Sequence, residues 1–281
     1  MIHRICLFPG QGSQHAGIGA GLFPLFPEYM EIARSVLGYD LEALCRDNPD
    51  NMLQQTNYTQ PALYVVNAMH YQKYLQDNGL PDIVLGHSLG EFNALQAAGV
   101  YDFETGLRIV QQRGALMAAM TEGGMAAVIG LELEEVRDIL EARFPALDIA
   151  NINTRQQVVV SGPLDALGAA ASEFEEAFAT YVPLKVGGAF HSRYMIPAQR
   201  AFEAVLAPLP FQAPQLTVIA NVTARPYEPG QLPGLLVAQL SSPVRWHGSI
   251  RYLLACGECS FVETGPGEVL GNLVKRIERG G

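Results

Sequence analysis

Asp82-Ile83-Val84-Leu85-Gly86-His87-Ser88-Leu89-Gly90-Glu91 is the stretch that decides the fold of this chain. The apolar residues before Gly86 predict a short buried strand, and residues 91–98 predict a helix that ends before Gly99. A serine between two glycines at such a turn is typical of a nucleophile elbow, which exposes the serine Oγ above a helix N-terminus. Short patterns of this kind also arise by chance, so the rest of the chain must decide between the two interpretations.

Composition and charge exclude several classes of protein. The chain has 281 residues, of which 49% are hydrophobic, and its formal net charge is −10. With 18 basic residues against 28 acidic ones, nucleic acid is not an expected partner. No apolar run is long enough to cross a membrane and no secretory leader follows Met1, so we expect a cytoplasmic protein without a membrane partner.

The cysteines do not predict a disulfide framework or a metal site. Four cysteines are few for a chain of this length, and they are scattered along it. Cys256 and Cys259 have C-x-x-C spacing, but no second pair accompanies them, and Gly257 is typical of a helix end before a strand. We therefore expect reduced thiols and no bound metal.

A second glycine-rich turn follows the predicted strand at residues 5–8. Its sequence, Pro9-Gly10-Gln11-Gly12-Ser13-Gln14, lacks the third glycine of a dinucleotide fingerprint and the Gly-Lys-Ser/Thr of a P-loop. In α/β-hydrolase-like sites, one oxyanion donor is a backbone amide from an early loop of this kind, and the other is the amide after the nucleophile. Gln11 and Leu89 are the candidates for these two donors.

A change in the order of elements between residues 124 and 188 predicts a smaller second unit. The predicted segments 125–131, 133–143, 148–153, 157–161, 164–178 and 181–186 have the β-α-β-β-α-β order of a ferredoxin-like fold. We expect an α/β protein in which residues 1–123 and 189–281 form an α/β-hydrolase-like large subdomain. Residues 124–188 form the inserted ferredoxin-like small subdomain, with a glycine pair as a hinge at each end.

His191 is the candidate base among six histidines. A serine hydroxyl needs a base to become a useful nucleophile, and imidazole titrates in the right range. His191 follows Phe190 at the point where the chain returns from the predicted insertion. His87 adjoins Ser88 on a sharp turn where neighbouring side chains diverge, so we expect it to support the site.

Arg113 lies on the side of a predicted helix that faces the protein core. On a helical wheel for residues 105–120, it lies in the middle of an apolar arc. An unpaired buried guanidinium is costly, so it should face a carboxylate of a ligand or of the protein. The alternatives to a ligand are an ion pair with Glu91 or Asp102, or a side chain that reaches the surface.

Taken together, these segments resemble the malonyl-CoA:acyl-carrier-protein transacylase family of fatty-acid and polyketide synthesis. The resemblance covers nearly the whole chain and rests on several motifs in the right order. These are Phe8-Pro9-Gly10-Gln11-Gly12-Ser13-Gln14, Thr59-Gln60-Pro61-Ala62-Leu63, Gly86-His87-Ser88-Leu89-Gly90-Glu91, Gln112-Arg113-Gly114, Ala189-Phe190-His191-Ser192, Ser242-Pro243-Val244-Arg245-Trp246 and Glu263-Thr264-Gly265-Pro266-Gly267.

The resemblance implies a role for each candidate residue. Ser88 would be the nucleophile, His191 the base and Arg113 the binder of the substrate carboxylate. Gln11 and Leu89 would hold the oxyanion. The remaining implied site residues are Gln239, whose backbone carbonyl would orient the histidine, Phe190 and His87 in substrate binding, and Asn151 and Asn153 around the site from the small subdomain.

The implied reaction moves a malonyl group from malonyl-CoA, through a Ser88 ester, to the phosphopantetheine thiol of an acyl carrier protein. No cofactor bound by the enzyme is implied. The bulky ring of Phe190 resembles the malonyl-selecting version of the motif, so we expect malonyl to be preferred over methylmalonyl. Details at 189–192 and 221–226 are closer to discrete trans-acting enzymes of polyketide synthases than to fatty-acid enzymes, which remain an alternative.

Two further alternatives stay open at this stage. An editing hydrolase on the same scaffold would cleave acyl groups from carrier proteins, although an inward guanidinium would not help it with uncharged chains. A non-catalytic carrier-binding adaptor would not need Ser88, His191, Arg113 and Gln11 together. A freestanding monomer is expected, and an acidic carrier would need a local basic patch, for which Arg193 and Arg245 are candidates.

Overall fold

The computed structural model describes residues 2–280. The strands are β1 (His3–Phe8), β2 (Ile83–Gly86), β3 (Gly124–Ile129), β4 (Asp148–Thr154), β5 (Gln157–Gly162), β6 (Thr180–Pro183), β7 (Thr217–Ala220), β8 (Arg225–Pro226) and β9 (Cys259–Glu263). The α-helices are α1 (Pro27–Leu37), α2 (Leu41–Asp47), α3 (Thr56–Asn78), α4 (Gly90–Ala97), α5 (Phe103–Ala118), α6 (Leu133–Arg143), α7 (Leu164–Glu176), α8 (Ile196–Leu206), α9 (Leu232–Ala238), α10 (Trp246–Cys256) and α11 (Val269–Glu278). Short 3₁₀ turns lie at Phe23–Leu25, Pro49–Gln54, Arg193–Met195 and Gln239–Ser241.

The larger sheet has five strands in the order β8-β7-β2-β1-β9, and β1, β2, β7 and β9 are parallel. Alternate residues of each strand face opposite sides of a sheet. Ile5 and Leu7 of β1 accordingly pack towards α10 and α11, whereas Cys6 and Phe8 join the main core that contains α3, α4 and α5. The sheet is therefore covered on both faces.

The register of the central strands brings two loops together. Phe8, at the end of β1, is paired with Gly86, at the end of β2. Because the strands are parallel, the glycine-rich turn after β1 and the serine turn after β2 emerge side by side at the carboxyl edge, where open α/β sheets bind ligands. This pairing places the predicted oxyanion loop next to the predicted nucleophile.

The smaller sheet is antiparallel and has the order β4-β5-β3-β6. Together with α6 and α7 it gives the β-α-β-β-α-β order of a ferredoxin-like unit, with its own apolar core. Two backbone hydrogen bonds, from Ile152 to Val244 and from Val244 to Ala150, both 2.9 Å, join β4 to the segment before α10. The predicted fold class is confirmed, and the exact subdomain boundaries at 124 and 188 stay a prediction.

Several element boundaries differ from the sequence prediction for local reasons. The helix predicted at 105–120 begins at Phe103, because the Asp102 carboxylate accepts a hydrogen bond from the Thr105 amide (2.8 Å) and caps it. The helix predicted at 164–178 ends at Glu176, and Phe178 takes a left-handed conformation (φ 62°) before β6. Asp102 is thus occupied as a helix cap.

Three chemical features of residues 2–280 bear on function. None of the helices there combines the length and the apolar character that crossing a bilayer requires. The four cysteines are free thiols. In the same range, no group of three or more His, Cys, Asp or Glu side chains could hold a metal ion.

Candidate active site

Ser88 lies in a strained turn between β2 and α4. Its φ angle is 51°, in the left-handed region that non-glycine residues rarely adopt. A Cβ on Gly86 would come 1.9 Å from the carbonyl carbon of Gly90, and a Cβ on Gly90 would come 1.9 Å from the Phe8 carbonyl oxygen. Only glycine fits at both flanking positions, which is the steric reason for the G-x-S-x-G pattern.

Asn221 holds this turn from the neighbouring strand. Its side-chain Oδ1 accepts a hydrogen bond from the Ser88 amide (2.7 Å), and its Nδ2 donates to the Gly86 carbonyl (2.7 Å). Asn221 directly follows β7, which pairs with β2. Our sequence reasoning did not identify this role; the available signal was an asparagine at the carboxyl end of a buried strand.

The structure brings His191 into contact with Ser88. The His191 Nε2 atom lies 2.7 Å from Ser88 Oγ, and its Nδ1 atom lies 2.9 Å from the Gln239 carbonyl oxygen. A carbonyl oxygen can only accept, so Nδ1 carries the proton of the neutral ring and the Nε2 lone pair faces the serine hydroxyl. This is the tautomer that a general base for Ser88 requires.

The surroundings keep His191 neutral. Burial and the nearby Arg113 cation both disfavour the imidazolium and lower the pKa of His191 from 6.5 to about 3. Because the unfolded chain takes up this proton at higher pH than the folded chain, His191 makes stability fall as pH drops from about 6.5 towards about 3.

This pKa leads to a pH prediction. We expect kcat/KM for transfer from acetyl-CoA, which reports the free enzyme and makes no use of the Arg113 cation, to stay level as the pH is lowered from about 8 to about 5. In Arg113→Met, assayed with an uncharged acyl thioester, the acidic limb should move to higher pH because a neighbouring cation is gone. An acidic limb near the ordinary histidine value in the unmodified enzyme would contradict the environment described here.

Arg113 is buried (1% exposed) and has only neutral partners among the described residues. Its Nη1 donates to Gln60 Oε1 (2.7 Å), and its Nη2 donates to Gln239 Oε1 (2.8 Å) and to Ser88 Oγ (3.1 Å). Burial lowers the pKa of the guanidinium to about 9, so it remains charged at neutral pH.

Neither protein alternative for Arg113 is found. The guanidinium does not reach the surface, and within residues 2–280 it forms no ion pair with Glu91 or Asp102. Its Nε atom has no hydrogen-bond partner there. A buried cation beside a nucleophile, with no carboxylate against it, is suited to an anionic group of a ligand.

The two predicted oxyanion donors line the same cavity as Ser88. Within residues 2–280, the backbone amides of Gln11 and Leu89 donate to no protein acceptor. The Gln11 side chain donates from Nε2 to Thr56 Oγ1 (3.4 Å). Both amides are therefore available to a ligand oxygen, as the loop and elbow positions predicted.

The other predicted residues surround the site from the small subdomain and the return segment. His87 Nε2 lies 2.9 Å from Asn153 Oδ1 and 3.4 Å from Asn151 Nδ2, so β4 supports the histidine next to Ser88. The ring of Trp246 lies against His87 on the core side (5.6 Å between centroids). Phe190 is buried in the cavity wall.

The cavity at the site has a volume of about 440 Å³. It lies between the carboxyl edge of the larger sheet, the small subdomain and α11. Among the described residues that line the cavity, the charged side chains are those of Arg113 and Lys185, and both are cations. In a chain of net charge −10, this local sign favours an anionic ligand.

The candidate docking arginines have different surroundings. Arg193 is paired with Asp148, with Nε to Oδ1 at 2.9 Å. Arg245 is exposed just before α10. Which surface meets a carrier protein stays a prediction.

Besides the role of Asn221, sequence reasoning missed four polar contributions to the site. Gln60 lies on the buried face of α3 and binds Arg113. The side chain of Gln239, in addition to its carbonyl, also binds Arg113. The Tyr227 hydroxyl donates a hydrogen bond to the Glu91 carboxylate (2.6 Å), which also accepts one from the Gln239 side chain. The signal for Gln60 was a polar residue directly before the apolar run 61–66, whereas Tyr227 gave none.

Comparison with known proteins identifies relatives of this architecture. Residues 5–279 match the family model described as acyl transferase domain. The chain is 52% identical over 274 residues to the polyketide biosynthesis protein ThaF of Burkholderia thailandensis, covering 96% of the chain and 24% of that longer protein.

Two other relatives match over nearly their whole length. The chain is 49% identical to the polyketide biosynthesis malonyl CoA-acyl carrier protein transacylase BaeC of Bacillus velezensis, covering 97% of the chain and 96% of that protein. Among solved structures, it is similar to the malonyl CoA-acyl carrier protein transacylase of Burkholderia pseudomallei. That structure has a TM-score of 0.96 and 46% identity, with 99% of both chains covered.

Proposed function

This chain belongs to the acyl transferase domain family, and we propose that it transfers a malonyl group from malonyl-CoA to the phosphopantetheine thiol of an acyl carrier protein. The observation that carries the proposal is Arg113. It is a buried guanidinium with neutral partners, 3.1 Å from the oxygen of a serine that is itself paired with a histidine. A malonyl thioester supplies the missing carboxylate. Only one CH₂ group separates this carboxylate from the thioester carbonyl that Ser88 would attack.

In the first half-reaction, His191 Nε2 takes the Ser88 proton as Oγ forms a bond to the thioester carbonyl carbon. The amides of Gln11 and Leu89 hold the negative oxygen of the tetrahedral intermediate. The C–S bond then breaks, His191 returns its proton to the departing CoA thiolate, and malonyl-Ser88 remains. The planar Arg113 fork binds the malonyl carboxylate throughout.

The second half-reaction runs through the same groups. The thiol of the phosphopantetheine arm gives its proton to His191, and its sulfur attacks the ester carbonyl. As the C–O bond breaks, Ser88 Oγ regains a proton from His191. The kinetics are therefore ping-pong, and no cofactor bound by the enzyme takes part in either step.

Polyketide synthesis is the proposed setting, with the enzyme acting in trans on a separate carrier protein. Supporting this, the relatives at 52% and 49% identity carry polyketide biosynthesis names. The reaction is expected in the cytoplasm, because the four cysteines are free thiols, as is usual for proteins of a reducing compartment. A monomer is the expected working form.

Phe190 is proposed to select malonyl over methylmalonyl. Its ring is buried in the cavity wall, so an α-methyl branch on the acyl group would meet it. We expect Phe190→Ser to shift the ratio of kcat/KM values toward methylmalonyl-CoA by roughly 10-fold or more, the range for one methyl in an apolar pocket. Equal kcat/KM values for the two thioesters in the unmodified enzyme would overturn this role.

A matched control is available for Phe190. Phe178 is 97% exposed at the turn after α7, far from the cavity lining. Phe178→Ser makes the same chemical change without altering the site, so it should leave the ratio of the two substrates unchanged. The assay is the initial rate of acylation with each CoA thioester on the same preparation.

The direct test of the proposed function is intact-mass spectrometry after brief exposure to malonyl-CoA or, separately, acetyl-CoA. We expect a malonyl adduct on the unmodified protein, followed by its loss when a carrier protein with a free phosphopantetheine thiol is added. An editing hydrolase would instead show no stable malonyl adduct and would release acyl groups already on the carrier. That outcome would refute transfer as the main activity.

A further inference from the structure

Glu91 is a buried carboxylate beside the site that the reaction described above does not use. It lies three residues after the nucleophile, in the first turn of α4, and is 1% exposed. Burial raises the pKa of its carboxyl to about 7, so the charged form is costly at this position. Within residues 2–280, its carboxylate forms no hydrogen bond with Ser88 Oγ or with the His191 ring.

Three hydrogen bonds hold the Glu91 carboxylate. Oε1 accepts from the Tyr227 hydroxyl (2.6 Å) and from the Asn221 amide (3.0 Å). Oε2 accepts from Gln239 Nε2. The carboxylate therefore connects Asn221, which holds the Ser88 turn, with Gln239, whose backbone carbonyl binds His191.

These contacts determine which way the Gln239 carboxamide points. Its Nε2 faces the Ser88 carbonyl (3.0 Å), which only accepts, and the Glu91 carboxyl group, which only accepts when it is ionised. Its Oε1 faces Arg113 Nη2 (2.8 Å), which only donates. The opposite orientation would place donors against donors at Arg113 and acceptors against acceptors at Glu91.

We infer that Glu91 is a positioning residue for acyl-group selection: its carboxylate orients the Gln239 carboxamide so that Gln239 Oε1 accepts from Arg113 Nη2 and holds the guanidinium beside Ser88. The same Gln239 residue orients His191 through its backbone carbonyl, which does not depend on the side chain. Glu91 thus acts mainly on the carboxylate-binding half of the site, and less on the nucleophile and base. This inference rests on the proposed malonyl transfer.

Glu91→Gln is the sharpest probe, because it keeps size and shape and changes one acceptor into a donor. The Asn221 amide is a fixed donor, so the oxygen of the substituted side chain should turn toward it and the new NH₂ toward Gln239. Gln239 would then have to rotate and present its own NH₂ to Arg113. Two donors facing each other would displace the guanidinium.

The experiment measures the ratio of kcat/KM for malonyl-CoA to that for acetyl-CoA, by rapid-quench intact mass on one preparation. An inactive fraction cancels in this ratio. We expect Glu91→Gln to lower the ratio by roughly 10-fold or more, the range for disturbing one buried charged hydrogen bond. Glu104→Gln is the matched control, since Glu104 is exposed on α5 and pairs only with Arg108 there.

A second variant covers the case in which Glu91→Gln does not fold. Gln239→Ala removes the carboxamide through which Glu91 acts but keeps the backbone carbonyl that binds His191. The ratio should fall by a similar factor, and Glu91→Gln added to it should cause no further fall.

Either of two results would overturn the inference. One is a Glu91→Gln enzyme in which both substrates slow by the same factor, as a purely structural role would give. The other is an unchanged ratio in Gln239→Ala. Both differ from failure of the proposed function, in which the unmodified protein itself would take up no malonyl group.

Discussion

Replacement of Ser88 with alanine is expected to abolish the malonyl-enzyme and to lower transfer by on the order of 10⁶-fold, the scale reached when a serine hydrolase loses its nucleophile. A methyl group cannot form the ester or share a proton with His191 Nε2, which lies 2.7 Å from Ser88 Oγ. The fold should persist, because Asn221 holds the backbone amide of residue 88 and not its side chain. Intact mass after exposure to malonyl-CoA reads out the adduct, and carrier acylation reads out the rate.

Ser172→Ala is the control for this change. Ser172 is exposed on α7, and within residues 2–280 its hydroxyl donates only to the Ala169 carbonyl, so its loss should leave malonylation at the unmodified rate. A malonyl adduct that survives in Ser88→Ala at full yield would place the nucleophile elsewhere in the chain.

Replacement of Arg113 with alanine is expected to lower kcat/KM for malonyl-CoA by roughly 10²-fold or more while acetyl-CoA loses far less. A bidentate guanidinium makes two charge-assisted hydrogen bonds to a carboxylate, each worth about 1.5–3 kcal/mol. The acetyl group has no carboxylate, so acetyl-CoA makes neither of these hydrogen bonds and loses neither in the variant. Arg113→Lys should not restore the preference, because an ammonium group cannot reproduce the planar fork.

Arg108→Ala provides the comparison on the same helix. Arg108 is exposed and pairs with Glu104 (2.7 Å), so its removal should change neither substrate's rate. If Arg113→Ala slowed malonyl and acetyl transfer by the same factor, Arg113 would be acting on Ser88 or on the fold, and not on the acyl carboxylate. Thermal denaturation of both variants separates a loss of stability from a loss of selection.

The serine turn and its immediate setting could be predicted from sequence because they depend on neighbouring residues. A strand, a turn that excludes Cβ atoms and a helix start all lie within residues 82–98, and the structure has β2, the left-handed Ser88 and α4 there. The small subdomain was predictable for a similar reason, since the order of its elements shows in local apolar patterns. Such signals do not depend on distant parts of the chain.

Arg113 shows where this kind of reasoning stops. The helical wheel placed it correctly toward the core, but it left open an ion pair with Glu91 or Asp102. Asp102 caps α5 instead, and the Arg113 partners Gln60 and Gln239 lie 53 and 126 positions away in the chain. Hydrogen bonds over such separations leave no periodic trace in a sequence.

The sequence by itself therefore determined the elbow and the order of elements, and it supplied the candidates for the reactive side chains, because steric limits and apolar periodicity act over a few residues. Only the tertiary structure decided that Asn221 holds the elbow, that the Gln239 carbonyl sets the His191 tautomer, and that the direct partners of Arg113 are neutral side chains. Each of these depends on β1, β2 and β7 lying side by side and on the chain's return at His191. Burial then makes the pairing of each polar group matter, because water is not there to replace a missing partner.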